Sequence, residues 1–351
     1  MTDRMLQPAP FTVIGAEAVR RTLAARPDHL VTLVRDTYLA HDAGLTVNPD
    51  SYFLRFPDRP GDRIIALPAA IAGDDPFSGV KPVSGIKWIA SFPGNLARGV
   101  DRASAVLVLN DAETGYPFAC LESSIISAAR TAASAVLGAE LLHGPEKRAR
   151  QVAVIGTGPI ARAITDMLFA TGWQAGELVA HDLDLARATA FADAIGLRRR
   201  IPTRATADIA AAISQADLVI FATTASRPHV LDAGLFAHAP TVLHISLRDL
   251  GPEVILSAWN LVDDVDHALK ADTSLHLVEK ARGDRGFVAG TIADAVRGRV
   301  VPDRSRPRIF SPFGMGILDL ALGLDVWKTV TDQGGGVVVP DFFPRTATLG
   351  L

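Results

Sequence analysis

Gln151-Val-Ala-Val-Ile-Gly156-Thr157-Gly158-Pro159-Ile160-Ala161 is the stretch that decides the fold, and Leu178-Val-Ala-His181-Asp182 completes it. Four apolar residues run into Gly-x-Gly-x-x-Ala, and a second apolar run ends in an acid 24 residues after Gly158. This order predicts a buried parallel strand, a tight turn at Gly156 and a helix opening at Pro159. Gly158, with no Cβ, lets the backbone approach a pyrophosphate, and Ala161 lets the helix pack on the strand. Free N–H groups in the helix's first turn then face the phosphates. Gly156, Thr157, Gly158, Pro159 and Ile160 are therefore candidate cofactor contacts, and Asp182 is placed to accept from the hydroxyls of a ribose. A glycine turn in an unrelated α/β domain is the bland alternative, but it does not explain the terminal acid. The expected cofactor is NAD. A carboxylate at the ribose repels a 2′-phosphate, and Leu183, Asp184 and Leu185 bring no arginine to offset it.

Working outward, 351 residues suffice for two domains. A hydrophobic content of 48% and a charged content of 21% describe a globular chain. A net charge of −3 gives no electrostatic reason to expect nucleic acid as a partner. Cys120 is the single cysteine, which rules out an internal disulfide and suits a reducing compartment. Pro8 and Pro10 fall where a secretory signal needs its apolar core. No uninterrupted apolar run approaches the roughly 18–20 residues that cross a bilayer. The expectation is a cytoplasmic protein with no membrane partner.

The pattern divides the chain into three: 1–142, 143–303 and 304–351. The first mixes short strand-like runs (51–56, 63–67, 105–109) with polar turns, among them a hairpin turn at 111–117, and ends in an Ala-rich helix over 122–142. The second alternates strands at 151–155, 177–181, 217–222, 241–246 and 260–263 with helices, which implies a parallel sheet. In the third, a glycine-rich loop from Phe310 turns into an amphipathic helix, followed by an irregular tail to Leu351. The predicted fold class is α/β: a Rossmann dinucleotide-binding domain plus an α+β domain.

Several residues could carry chemistry. Thr223 and Thr224 end the buried run Asp217-Leu-Val-Ile-Phe-Ala, where an open parallel sheet places its ligand crevice; they either face the cofactor or cap the next helix. Ser246, at the end of the next strand, is a further candidate cofactor contact. Asp249, just beyond that strand, is placed as a catalytic acid or base, or as an N-cap for a helix near Pro252. Lys87, between Ile86 and Trp88, faces opposite to both on a strand, either into a cleft or towards water. Arg130, in a helix of small residues, fits a carboxylate, a pyrophosphate or a structural ion pair, and Arg55 ends an apolar run as a functional or a surface charge. Asp263, Asp264, Asp266 and His267 are nearly contiguous and splay apart, so no metal is expected.

Together these motifs resemble the ornithine cyclodeaminase/μ-crystallin family over nearly the whole chain. Arg55 precedes Ile65-Ala-Leu-Pro68; then follow Gly85-Ile-Lys87, Asp111-x-x-Thr-Gly115-Tyr-Pro117, Arg130-Thr-Ala-Ala, the Gly-x-Gly turn, and Asp249 with Glu253. The resemblance implies a homodimer whose substrate and dimerisation domain is built from both chain ends. It also implies that Arg55 and Arg130 hold a substrate carboxylate, with Lys87 assisting there or at its water and Asp249 handling the amine or the attacking water. It suggests that Ser91 and Asn95 reach the cofactor phosphates, and leaves open whether Arg63 or Arg102 touches substrate. Ala66 is read at the place of a glutamate found in ornithine cyclodeaminases, which weakens the case for a cationic diamine. Asp62-Arg-Ile-Ile-Ala-Leu-Pro-Ala, Gly85-Ile-Lys-Trp-Ile-Ala-Ser-Phe-Pro-Gly-Asn and Arg102-Ala-Ser-Ala-Val instead resemble the 2,3-diaminopropionate-forming branch. That branch oxidises a small amino acid conjugate, N-(2-amino-2-carboxyethyl)-L-glutamate, with NAD. Ornithine cyclisation, ketimine reduction and non-catalytic NAD(P)H binding are the alternatives.

Overall fold

The computed structural model describes residues 9–72, 77 and 79–344; Pro8 and the tail from 345 to Leu351 lie outside the described residues. Two compact units divide the chain, one comprising residues 1–130 and 315–351 and the other residues 131–314.

The second unit is built on an eight-stranded parallel sheet. Its order is Thr203–Thr206, Gln174–His181, Arg148–Ile155, Leu218–Phe221, Thr241–His244, Arg308–Ser311, Trp259–Val262 and Val288–Thr291. The central strands are continuous apolar runs because both faces are covered; Leu218–Phe221 and Thr241–His244 are buried at every position. Helix Pro159–Ala170 packs Ala161, Ile164 and Leu168 inward. This is the Rossmann arrangement, with the chain order reversing beside Arg148–Ile155.

The first unit holds a second eight-stranded sheet, mostly antiparallel. Its order is Val337–Val339, Phe11–Ile14, Pro117–Glu122, Ala103–Asp111, Val83–Ser91, Arg59–Ile71 and Thr46–Val47, with Tyr52–Phe56 also paired to Arg59–Ile71. Both chain ends contribute, since Phe11–Ile14 pairs with Val337–Val339. Helix Gly316–Asp332 packs across the middle strands. A Cβ on Gly85 would lie 2.2 Å from the Val108 carbonyl oxygen and 2.9 Å from Leu320 Cδ2, so strand and helix meet closely there.

Alternation sorts that sheet into two faces. Arg63, Ile65 and Leu67 align with Ser91, Ile89 and Lys87, and these with Ala103, Ala105 and Leu107. This is the helix-covered face, where Lys87, Ala105 and Leu107 are buried. Ala66, Trp88 and Val106 align on the other face, where Trp88 and Val106 are exposed.

The structure revises three expectations. The second unit extends to Gly314 rather than 303, because Arg308–Ser311 is an inner strand of its sheet; the chain re-enters the first unit only at Met315. Helix Ser124–His143 is continuous, and the chain passes from one unit to the other within it, after Arg130 rather than after Leu142. By length and composition that helix could cross a membrane, yet 67% of its most apolar window is buried, as in a core helix. Ala66 points away from Lys87, so it is not where a carboxylate could reach the Lys87 face. That face takes residues 63, 65, 67 and 69 of the strand, which are Arg63, Ile65, Leu67 and Ala69. None is acidic, so the argument against a cationic diamine holds at those positions instead.

Candidate active site

Lys87 lies on the buried face of its strand, with 2% of its side chain exposed, which excludes a solvated lysine. Its Nζ donates to Asp319 Oδ2 at 2.6 Å and to Ser127 Oγ at 3.1 Å. Asp319 is fully buried on helix Gly316–Asp332. Arg130 follows Ser127 by three residues, on the same helix face. Its Nε sits 3.5 Å from Asp319 Oδ1 as an ion pair without a hydrogen bond. Two cations thus share one carboxylate, and the site keeps a net positive charge. Burial pushes the Lys87 ammonium down to about 8, with Asp319 resisting and Arg130 reinforcing the fall.

Sequence reasoning missed Asp319. A lone acid inside the apolar run Gly316-Ile-Leu-Asp-Leu-Ala-Leu-Gly323 signals a buried partner, because an unpaired carboxylate there is costly.

Arg55 does not join this cluster. Its side chain is exposed and lies over the Phe53 ring at 5.0 Å, although its position aligns with Arg63 on the Lys87 face. Ser91 is buried and accepts from Arg102, and Asn95 donates to the Asp101 carbonyl.

In the second unit, Gly156 has φ +85°, and a Cβ there would lie 2.8 Å from the Ala222 carbonyl oxygen. Only glycine makes that turn without strain. Space is open beside Gly158, the N-cap of helix Pro159–Ala170, and no side chain caps the first turn. Pro159 at the first helical position gives up only an N–H that lacks an intrahelical partner in any case. Thr157 donates its amide (2.9 Å) and hydroxyl (2.8 Å) to Asp182 Oδ2, while the Asp184 amide reaches Oδ1 at 3.2 Å. Partial burial raises the Asp182 carboxyl, but these bonds outweigh it and, with Arg187 nearby, hold it below the usual range. An open cradle, an uncapped helix start and a braced carboxylate fit a dinucleotide.

Asp249 is fully buried and is no N-cap, a place taken by Gly251. It accepts from the hydroxyls of Thr223 and Ser246. Its amide donates to His244 Nε2 at 3.2 Å, and His244 Nδ1 meets Ser311 Oγ at 3.1 Å. Burial raises the carboxyl, but His244, Ser246 and Thr223 outweigh it, so Asp249 stays ionised. His229 Nε2 comes within 3.9 Å, and neither histidine was singled out in the sequence. Thr223 caps no helix: its hydroxyl binds Asp249 and accepts from the Ala225 amide. The neighbouring Thr224 is exposed. Asp263 is buried and accepts from the Phe313 and Gly314 amides, while Asp264 caps the helix Val265–Ala268.

These elements define a Rossmann-type α/β protein whose other unit buries a cation cluster. The sequence model of the ornithine cyclodeaminase/mu-crystallin family matches residues 34–333, and the chain belongs to that family. A Staphylococcus aureus relative, N-((2S)-2-amino-2-carboxyethyl)-L-glutamate dehydrogenase, is 28% identical over 322 residues, covering 88% of this chain and 92% of its own. The crystal structure of CmnK is 27% identical, with a TM-score of 0.83 over 96% of this chain and 100% of that one. A Thermococcus litoralis Delta(1)-pyrroline-2-carboxylate reductase, solved with NADH and L-proline, shares the fold at 19% identity and a TM-score of 0.83, covering 94% of this chain and 100% of its own.

Asp319→Ala strands both Lys87 and Arg130 and is expected to cost about 3–5 kcal/mol in urea denaturation. In the double variant Lys87→Met/Asp319→Leu most of that loss should return. A single-variant loss below about 1 kcal/mol, the scale of a surface pair, removes this pair from the fold's support.

Proposed function

We propose that the protein oxidatively cleaves N-(2-amino-2-carboxyethyl)-L-glutamate, with NAD and water, to L-2,3-diaminopropionate, 2-oxoglutarate and NADH. The observation that carries the reading is the surplus of cations on the Lys87 face and its adjoining helix (Arg55, Arg63, Lys87 and Arg130) over Asp319, the buried acid that pairs with Lys87 and Arg130. A substrate with three carboxylates answers that surplus, and a cationic diamine does not. The name of the Staphylococcus aureus relative supports the same substrate.

In this reading Gly156, Thr157, Gly158, Pro159 and Ile160 hold the NAD pyrophosphate, and Asp182 holds the adenosine ribose. Thr223, Thr224 and Ser246 line the cofactor's other end. NAD, when bound, supplies the two-electron oxidant for the glutamyl α-carbon. Arg130 and Lys87 hold the neighbouring carboxylate as cations, and Arg55 swings in from its exposed position. Asp249, kept ionised by its hydroxyl and histidine partners, takes the proton of the water that adds to the imine. The C–N bond then breaks to release both amino-acid fragments. The test is incubation of purified protein with NAD and the conjugate, beside ornithine, with products identified by mass spectrometry. Proline from ornithine, or no 2-oxoglutarate from the conjugate, overturns the assignment. A product role in siderophore or peptide antibiotic assembly belongs to the same proposal and stands or falls with it.

The exposed apolar row Trp88 and Val106, with Tyr52 and Leu54 beyond it, is proposed as the homodimer face. Sedimentation velocity should show a dimer that Trp88→Lys converts to monomer; an unchanged mass places the interface elsewhere.

Lys87 is an ammonium below about 8 and a neutral amine above it. As a carboxylate holder it makes kcat/KM fall as pH rises through that value, and Lys87→Arg should carry the falling limb upward. Lys87→Ala should abolish turnover and leave NAD affinity intact. A limb that rises through about 8 and vanishes in the variant makes Lys87 the base instead.

Asp182→Ala should weaken NAD by about 1–2 kcal/mol and narrow the gap to NADP, read by titration of each cofactor. Equal affinities in variant and parent remove Asp182 from the ribose.

A further inference from the structure

Two arginines of the first unit lie near each other and, among the described residues, pair with no acid. Arg63 aligns with Arg55 on one side and Ser91 on the other. Its Nε is buried without a hydrogen-bond partner. Arg102 donates from Nη1 to Ser91 Oγ at 2.9 Å, and Ser91 is 7% exposed. Burial lowers the Arg102 guanidinium first, and Arg63 lowers it further, so the two cations sit close together. Among the described residues neither forms an ion pair. Asp62, the acid beside Arg63, lies on the opposite sheet face and pairs with Arg59.

Like charges that are half desolvated and uncompensated destabilise a fold. A protein-only explanation is missing, and an anionic ligand provides one. The ligand must also suit Lys87, which shares the sheet face and precedes Ser91 by four residues, about 13 Å along the strand. Two long side chains and a ligand with carboxylates several bonds apart can bridge that distance.

We infer that Arg63 and Arg102, with Ser91 holding the latter's fork, form a second carboxylate subsite. It selects amino acid derivatives that carry a carboxylate remote from the one at Lys87 and Arg130. This rests on the proposed function for its substrate but on the arginine pair alone for its existence. Ser91 acts as a positioning residue.

The experiment titrates glutarate and propionate into the NADH-loaded protein and, in parallel, measures NADH affinity and turnover of the conjugate. The variants are Arg63→Met, Arg102→Met, Arg102→Lys and Ser91→Ala. The expected results are that glutarate binds the parent more tightly than propionate and that either methionine variant weakens glutarate about 10- to 100-fold. NADH affinity should not move, and KM for the conjugate should rise with little change in kcat. Arg102→Lys should recover part of the loss, and Ser91→Ala should show a smaller one. Both methionine variants remove a repulsive charge, so their melting temperatures should equal or exceed the parent's.

Glutarate binding no better than propionate, or unaffected by either methionine variant, overturns the subsite. A loss in NADH affinity instead assigns the arginines to the cofactor's phosphates and also overturns it. Arginine-dependent glutarate binding without turnover of the conjugate keeps the subsite and sinks the reaction. Turnover with unchanged KM in both variants does the reverse.

Discussion

One carboxylate beneath a helix, facing two cations, is the constraint on which the first unit turns. Lys87 comes from a middle strand, Arg130 from the helix after the sheet, and Asp319 from the C-terminal helix. Buried ion pairs contribute little net stability, since desolvation consumes most of the Coulombic gain. What this one provides is position. Asp319 holds the Lys87 amine and leaves Arg130 short of a full hydrogen-bond partner. In the proposed reading, a guanidinium whose Nε is unsatisfied, beside Lys87, is prepared for an anion before any anion arrives.

The second unit applies the same logic with the sign reversed. Asp182 and Asp249 are carboxylates held ionised by short-range donors rather than by opposing side-chain charges alone. Thr157 does most of the holding for Asp182, whereas for Asp249 His244 leads and the hydroxyls of Ser246 and Thr223 add to it. The donors arise from loops at the carboxyl ends of parallel strands, where the sheet stops supplying partners and side chains take over.

Much of this was legible in the sequence, and the failures have physical causes. The strand–turn–helix at 151–161 is readable because each residue answers one steric demand, and Gly156 meets that demand in the structure. Edge strands Thr203–Thr206 and Val288–Thr291 leave little trace, since four residues, none fully buried and all polar or small but for Val288, form no apolar run. Arg308–Ser311 hides between Pro307 and Pro312 and reads as a loop, although its burial is complete. That Ala66 faces away from Lys87 was not legible, because strand parity cannot be known without a register, and one residue of slip exchanges the faces. Asp319 and His244 escaped for another reason. Each acts through a partner distant in sequence, and a lone charged or polar residue in an apolar run names no partner.

Segments of the first unit flank the second in sequence, which governs the order in which the two can be completed. A nascent chain that has reached Gly314 already contains every strand of the parallel sheet. Its other sheet still lacks the covering helix and the edge strand Val337–Val339. Until that helix leaves the ribosome, Lys87 has no Asp319 to meet and the face around it stays open to water. The strands around Lys87 are made before the second unit, yet the buried amine comes into existence only after that unit, once helix Gly316–Asp332 has been made.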